Sequence, residues 1–284
     1  MTAAQIVDGV VEVTSESVGI QPSSYLLELS PDWIVLRASE NVHHLLGESH
    51  VTLIDEPLGR FVHSQALHDL RNLFSRLSGT TGIGRAYGVR LTDAHEFVDL
   101  AFQLSGGRVL LEAVRPHDGF GECFGTVGGL IAGLGNTSGQ ALLDGGARRM
   151  RALTGYDRVT LTVGEHRAES SRGTFPARAA LSHETPSILC DIDAPRIEVF
   201  PRRADETAVG DALVRAPDSQ TLEELHSEGV RACLSVPFCV DDVSGAFRCD
   251  SRTARKPHFE MHAAAELFAQ LFAMKLEIDQ LRNT

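Results

Sequence analysis

Apolar and β-prone residues gather in two short runs, Ser24–Ser30 and Trp33–Ala38, separated by Pro31-Asp32. Proline and aspartate at such a junction favour a turn, so the pair predicts two antiparallel strands joined like a hairpin. The period then changes. Leu67, Leu70, Phe74 and Leu77 are spaced for one face of a helix, and strand-like runs return at Arg85–Leu91, Glu96–Leu104 and Arg108–Val114. This half reads as an antiparallel sheet with helices on one face. From Pro116 to about Thr137 the chain is rich in glycine and poor in charge, which predicts a connection with an apolar helix, and a domain boundary. A second unit opens with a helix over Gln140–Leu153, stopped by Thr154-Gly155, and runs into a strand at Arg158–Val163. A long irregular insertion is expected over Glu165–Pro217. Beyond it come a helix at Leu222–Ser227, a strand at Ala232–Val240, a turn at Asp241–Ser244 and a strand at Gly245–Cys249. The fold class is α+β.

A final helix is expected from about Pro257 to Arg282. Ala264, Leu267, Leu271, Met274, Ile278 and Leu281 are separated by alternating threes and fours, the a/d spacing of a heptad seam. Packing on the helix's own sheet accounts for the first half of this seam, but its far end, Met274 to Leu281, runs past any sheet. The expectation is a parallel homodimer through this helix.

Length and charge narrow the function. With 284 residues the chain exceeds one ordinary domain, so two domains are expected. The formal net charge of −12 opposes any polyanion partner, because nucleic-acid affinity rests on cations neutralising phosphates. The first residues carry Asp8, Glu12 and Glu16 without a basic start, unlike a secretory signal, and no apolar run is long enough for a bilayer. A cytoplasmic protein with no nucleic-acid or membrane partner is the expectation. Five cysteines at irregular spacing, with no C-x-x-C pair, read as reduced thiols.

Little in the sequence points to catalysis. His258 and His262 are four apart, a chelating spacing on a helix, but no third ligand stands nearby and they read as a solvated pair. Glu224-Leu225-His226 has no nucleophile beside it, and neither a phosphate-binding glycine loop nor a Ser-His-Asp motif is present. Cys233 and Cys249 read as a buried, inert pair, with an oxidant- or electrophile-sensing thiol as the alternative. The chain is not expected to be an enzyme.

Short motifs in order along the chain carry a family resemblance. Ile20-Gln21-Pro22, Tyr25-Leu26-Leu27, Ala38-Ser39-Glu40-Asn41 and Leu45-Leu46-Gly47 resemble the start of a bacterial phytochrome PAS domain. Leu153-Thr154-Gly155-Tyr156-Asp157-Arg158-Val159, Phe175-Pro176-Ala177, Asp191-Ile192-Asp193, Arg215 and Gly229-Val230-Arg231-Ala232 with Leu234-Ser235-Val236 resemble its GAF domain. The resemblance implies an N-terminal segment, residues 1–23, threading a lasso formed by the Arg196–Pro217 region in a figure-of-eight knot. It further implies a PAS domain over 24–116, a connection over 117–136, and a GAF domain with its dimerisation helix over 137–284.

The resemblance also implies a pocket for a bilin such as biliverdin, and here the sequence departs from the family. No cysteine precedes Cys123 where the bacterial family attaches its bilin, and Asp218-Ser219-Gln220-Thr221 stands where plant and cyanobacterial members carry a GAF cysteine. Ala179 occupies the position of the carboxylate beside the pyrroles, and Thr221 and Asp250 those of two chromophore-contacting histidines. Thr162 and Glu224 replace tyrosines, Ser187 an arginine, and the stretch from Leu181 to Cys190 is shortened. The remnant pocket positions are Cys233, Arg215, Ser235, Asp250, Thr221 and Phe175. The reading is a PAS–GAF signalling module without covalent bilin or red/far-red photochemistry, expected to need no cofactor and to act through protein partners. A smaller-ligand or non-covalent tetrapyrrole sensor, or a photoreceptor with bilin on Cys233, are the alternatives.

Overall fold

A computed structural model of the chain describes residues 4–7, 10–13, 18–77, 82–93, 96–117, 121–176, 185–202, 207–240 and 243–283. Among the described residues, strands β1 (Ala4–Val7) and β2 (Val10–Val13) pair only with each other. The first large unit contains β3 (Gly19–Ile20), β4 (Ser24–Leu29) and β5 (Val35–Ser39), short helices α1 (His43–Leu46) and α2 (His50–Leu53), and α3 (Ser64–Leu77). Strands β6 (Gly84–Val89), β7 (Val98–Ser105) and β8 (Arg108–Val114) follow. The sequence pattern acts here as expected: Leu27, Val35, Leu100, Phe102 and Leu111 meet Leu53, Leu67 and Leu70 of the helices in one core. Helix α1 ends where Gly47 takes a positive φ of 79° and returns its N–H to His43.

The second unit adds α4 (Glu122–Ala132), α5 (Gly139–Thr154), β9 (Arg158–Val163) and β10 (His166–Ser171). It continues with β11 (Ser187–Leu189), β12 (Ile197–Phe200) and α6 (Thr207–Gly210). It ends with α7 (Ser219–Ser227), β13 (Ala232–Val240), β14 (Val243–Ser251) and α8 (Phe259–Asn283). Gly155 caps α5 in the left-handed region, as the Thr154-Gly155 stop predicts. The insertion after Val163 is not irregular as expected. Its first arm, β10, pairs with β9, β11 joins β13, and β12 leaves this sheet for the other one. Short strands of three to six residues edged by polar residues leave too little periodicity to be read from sequence.

Two antiparallel sheets result, of order β10-β9-β14-β13-β11 and β3-β12-β5-β4-β8-β7-β6. Strand β12 pairs Ile197 with Ile20 and Val199 with Ser39. On the other side of β3, Ile20 bridges to Arg215 and the Gly19 carbonyl accepts from Ala216 N–H at 2.8 Å. The segment around Gly19 is thus held between residues 197–198 and 214–216. A Cβ on Gly19 would lie 2.5 Å from the Arg196 side chain and 2.6 Å from the Ile197 carbonyl, so this approach requires glycine. Gln21 completes the tie, donating to the Ile188 carbonyl at 2.6 Å and accepting from Cys190 N–H.

Helix α8 buries Ala265, Phe268, Ala269, Phe272, Ala273 and Leu276 against the apolar side of the five-stranded sheet, where Leu161, Leu234 and Phe247 wait. The expected seam lies on another face. Met274, Ile278 and Leu281 are 50%, 50% and 71% exposed and Leu267 is exposed with them, whereas Ala264 is buried in the core and Leu271 packs on its edge. His258 and His262 are not a solvated pair either. His258 precedes the helix and stacks on His117 at 4.0 Å, and His262 is fully buried, its Nδ1 2.8 Å from Arg85 Nη2. Arg85 also pairs with Glu266 at 2.7 Å, linking β6 to α8. Among the described residues no helix is long and apolar enough to cross a membrane.

Candidate functional site

Alternation along the central strands of the five-stranded sheet sends Val159, Leu161, Phe247, Cys249, Leu234 and Val236 to the α5–α8 core. The intervening residues Arg158, Thr160, Arg248, Asp250, Cys233 and Ser235 therefore share the opposite face. They stand in two rungs: Asp250 is the register partner of both Arg158 and Cys233, and Arg248 of both Thr160 and Ser235. All six are buried.

Buried charges must be paired and hydrogen-bonded, and here they are. Asp250 accepts from Arg158 Nε through Oδ2 at 2.9 Å and from Arg248 Nε through Oδ1 at 2.9 Å. Glu228, just beyond α7, receives Arg158 Nη2 at 3.3 Å and Arg248 Nη2 at 3.0 Å on its Oε2. Two guanidinium groups thus meet two carboxylates. Phe175 lies over it, with the Arg158 guanidinium 4.5 Å and that of Arg252 3.9 Å from its ring centre, and Arg158 Nη1 donates to the Pro176 carbonyl at 3.2 Å. The hydroxyl oxygens of Thr160 and Ser235, flanking Arg248, are buried without a hydrogen-bond partner.

Four of the six positions singled out from sequence meet here: Asp250, Ser235, Cys233 and Phe175. Cys233 packs with Leu189, Ile192, Leu225 and Val230. It does not pair with Cys249, which faces the opposite core and whose thiol pKa is pushed well above its ordinary value by burial. Arg215 sits to the side, its guanidinium taken up by the Pro186 and Ala212 carbonyls at 3.0 Å and by Thr185 Oγ1 at 2.8 Å. Thr221 is half-buried in the first turn of α7, where its N–H is capped by Asp218 at 2.7 Å. Glu224, expected to line the pocket, is instead exposed and accepts from Gln220 one turn back. Ala179 lies outside the described residues. Sequence reading missed Arg158, Arg248, Thr160 and Glu228 as a set. The signal available was the alternation of Arg248 and Asp250 within an apolar strand, a pattern that demands buried partners.

Two cavities lie elsewhere. One of about 390 Å³ is bordered by His117, Cys123, Tyr156, Arg255 and His258, and burial, then His117, lowers the His258 pKa to about 4. The other, of about 430 Å³, lies between α3 and β6. None of the six expected positions lines either. Among the described residues no three His, Cys, Asp or Glu side chains are grouped to hold a metal ion.

Comparison with known proteins bears on this arrangement. Residues 15–112 match the model of a family described as PAS fold. No curated protein matches the sequence. The chromophore-binding domain of Stigmatella aurantiaca phytochrome P1 superposes with a TM-score of 0.72 at 23% identity, over 92% of this chain and 97% of that one. That of the bacteriophytochrome RpBphP3 from R. palustris gives 0.74 at 20% identity, over 94% and 97%. The longer photosensory core module of the Stigmatella protein gives 0.73 at 24%, with this chain spanning 61% of it. Residues 15–112 thus carry a PAS fold, and the chain as a whole has the PAS–GAF fold of bacteriophytochrome chromophore-binding domains.

Proposed function

We propose that the chain is a sensory or signalling module of the phytochrome type that has given up covalent bilin attachment and red/far-red photochemistry, has no enzymatic activity, and acts through protein contacts. The observation that carries this reading is the Arg158–Arg248–Asp250–Glu228 set on the buried polar face of the GAF sheet. A bilin pocket needs apolar walls and cations left over for propionates. Here both cations are spent on protein carboxylates, and Asp250 stands where the resemblance expects a histidine against the chromophore. No cysteine lies among residues 1–122. The threading of residues 18–22 through the Arg196–Pro217 lasso is part of the same proposal, supported by the contacts of Gly19, Ile20 and Gln21 on both sides.

Output is assigned to a homodimer through α8, because a helix end exposing Met274, Ile278 and Leu281 on one side has apolar surface left to bury. On the adjacent α4 a Cβ at Gly125, Gly128 or Gly129 would meet nothing within 4 Å, which leaves room for a partner helix to come close.

A second reading is favoured by Thr160 and Ser235, whose buried hydroxyls lack partners. They suit a small polar ligand in place of a tetrapyrrole. Absorption of the protein purified after co-expression with a bilin source separates the readings. A colourless protein is expected. A chromophore released by denaturation would support non-covalent tetrapyrrole sensing, and a covalent adduct abolished by Cys233→Ser would support an atypical photoreceptor. In sedimentation the protein is expected to be a dimer that Ile278→Glu with Leu281→Lys converts to a monomer; a wild-type monomer at high micromolar concentration would refute that assignment.

A further inference from the structure

The cavity of about 390 Å³ lies where the start of α4 meets the segment that leads into α8. Its apolar lining comes from Ile188 and Leu234, buried register partners on β11 and β13, and from Met261 in the first turn of α8. Rings complete it. Tyr156 is 8% exposed, and His117 stacks on His258 with an angle of 14° between the ring planes. Sites for small molecules span about 300–1,000 Å³, so this volume suits a ligand of one ring with a short arm.

Cations border the same space, and one of them is held in place. The N–H of Arg255 donates to the Cys190 carbonyl at 2.8 Å, its Nε to Ser251 Oγ at 3.2 Å and its Nη2 to the Gly155 carbonyl. Its guanidinium also lies 4.5 Å from the centre of the Tyr156 ring. All of these partners are neutral. Among the described residues, neither Arg255 nor the neighbouring Lys256 has a carboxylate partner, and Arg255 Nη1 holds no hydrogen bond. By contrast Arg85, Arg108, Arg158 and Arg248 each meet a carboxylate. The one acidic side chain on the border, Glu122, is exposed. His258, whose pKa burial and then His117 lower to about 4, is neutral at pH 7 and offers a ring N–H without a third charge.

We propose that this cavity binds a small organic acid, with its carboxylate on Arg255 Nη1 and Lys256 and its flat apolar body among Tyr156, Ile188, Leu234 and Met261. A guanidinium already fixed by neutral partners loses little further freedom when a carboxylate arrives. The hydrogen bond it then makes is charge-assisted, and stronger than a neutral one. The site is separate from the polar face that carries Thr160 and Ser235, because Leu234 belongs to the opposite, α5–α8 side of the sheet. Glu122 and Cys123 open α4, and Met261 belongs to α8. A bound acid therefore touches the two helices to which the dimer contact is assigned.

Phenylacetate and phenylethylamine, the same ring carrying an acid or an amine, are the probes, titrated at pH 7 into the full chain labelled for amide NMR. Phenylacetate is expected to saturate and to shift the amides of Cys123, Tyr156, Arg255 and His258 while leaving Thr160 and Ser235 in place. The amine should bind at least about tenfold more weakly. Arg255→Gln should weaken phenylacetate binding about tenfold or more, as the loss of a charge-assisted hydrogen bond implies, and Lys256→Gln about two- to fivefold. If Arg255→Gln does not fold, the preference for acid over amine and the Lys256→Gln loss decide. Failure to saturate by about 10 mM phenylacetate, or equal binding of the amine, would overturn the proposal. So would shifts centred on Thr160 and Ser235, which would move the ligand to the polar face and favour the second functional reading instead.

Discussion

On the back of the PAS sheet, Arg37 reaches the Pro201 carbonyl at 2.8 Å and the Val199 carbonyl at 3.3 Å, Gln103 reaches the Asp211 carbonyl at 2.6 Å, and Glu112 takes two amides. On the face of the GAF sheet away from α5 and α8, Arg158, Arg248, Asp250 and Glu228 reach mainly one another. Both faces bury polar groups, but the first, beside its Glu28 pairs to Arg37 and Arg108, reaches the backbone of a distant segment, whereas the second reaches chiefly its own charges. Backbone partners fix where a segment lies, so the PAS face serves as a clamp on residues 197–215. Mutual ion pairs fix net charge and fill space. The GAF face is thereby filled by the protein's own charges.

The strongest way to break this comparison is Asp250→Ala. It removes the carboxylate that both buried guanidinium groups share through their Nε atoms, and removal of one partner from a buried ion set is expected to lower stability by about 3–5 kcal/mol in denaturant unfolding. A loss under about 1 kcal/mol would show that water reaches the site and that it is an open pocket. Arg37→Met should cost somewhat less, about 2–3 kcal/mol, because Glu28 keeps Arg108 as a partner and a small shift of the arm can return the stranded carbonyls to solvent. Its distinguishing sign is local: faster hydrogen exchange in residues 197–200 with β9 unchanged. The smallest effect belongs to Thr160→Val with Ser235→Ala, which removes hydroxyls that have no partner. Stability is expected to change by less than about 1 kcal/mol, in either direction. A clear loss would mean that both hydroxyls bind an ordered ligand or water, which would sharpen the second functional reading.

Much of the secondary structure was legible. Arg158–Val163 and Ala232–Val240 form strands with the expected ends, and α3, α5 and α8 follow their apolar spacing. The seam of α8 illustrates the limit. Its threes and fours marked an apolar stripe, but the helix carries a second stripe of Phe and Ala residues, and only packing shows that the second one meets the sheet while Met274, Ile278 and Leu281 face outward. Departures from the family pattern, Asp250 among them, could be named from the sequence, but the charge set around Asp250 could not, because Arg158, Glu228 and Asp250 lie far apart in sequence and meet only in the fold.

By itself the sequence determined the α+β class, the order of the main strands and helices outside residues 165–217, and the absence of a cysteine before Cys123, since these follow from local periodicity and residue identity. Tertiary structure alone decided that β12 joins the PAS sheet, that His262 is buried against Arg85, and that four charges close over the GAF face. The physical reason is the same in each case. A buried polar group must find a partner, the partner is chosen by proximity after folding, and separations such as 92 residues between Arg158 and Asp250 leave no local trace in the chain.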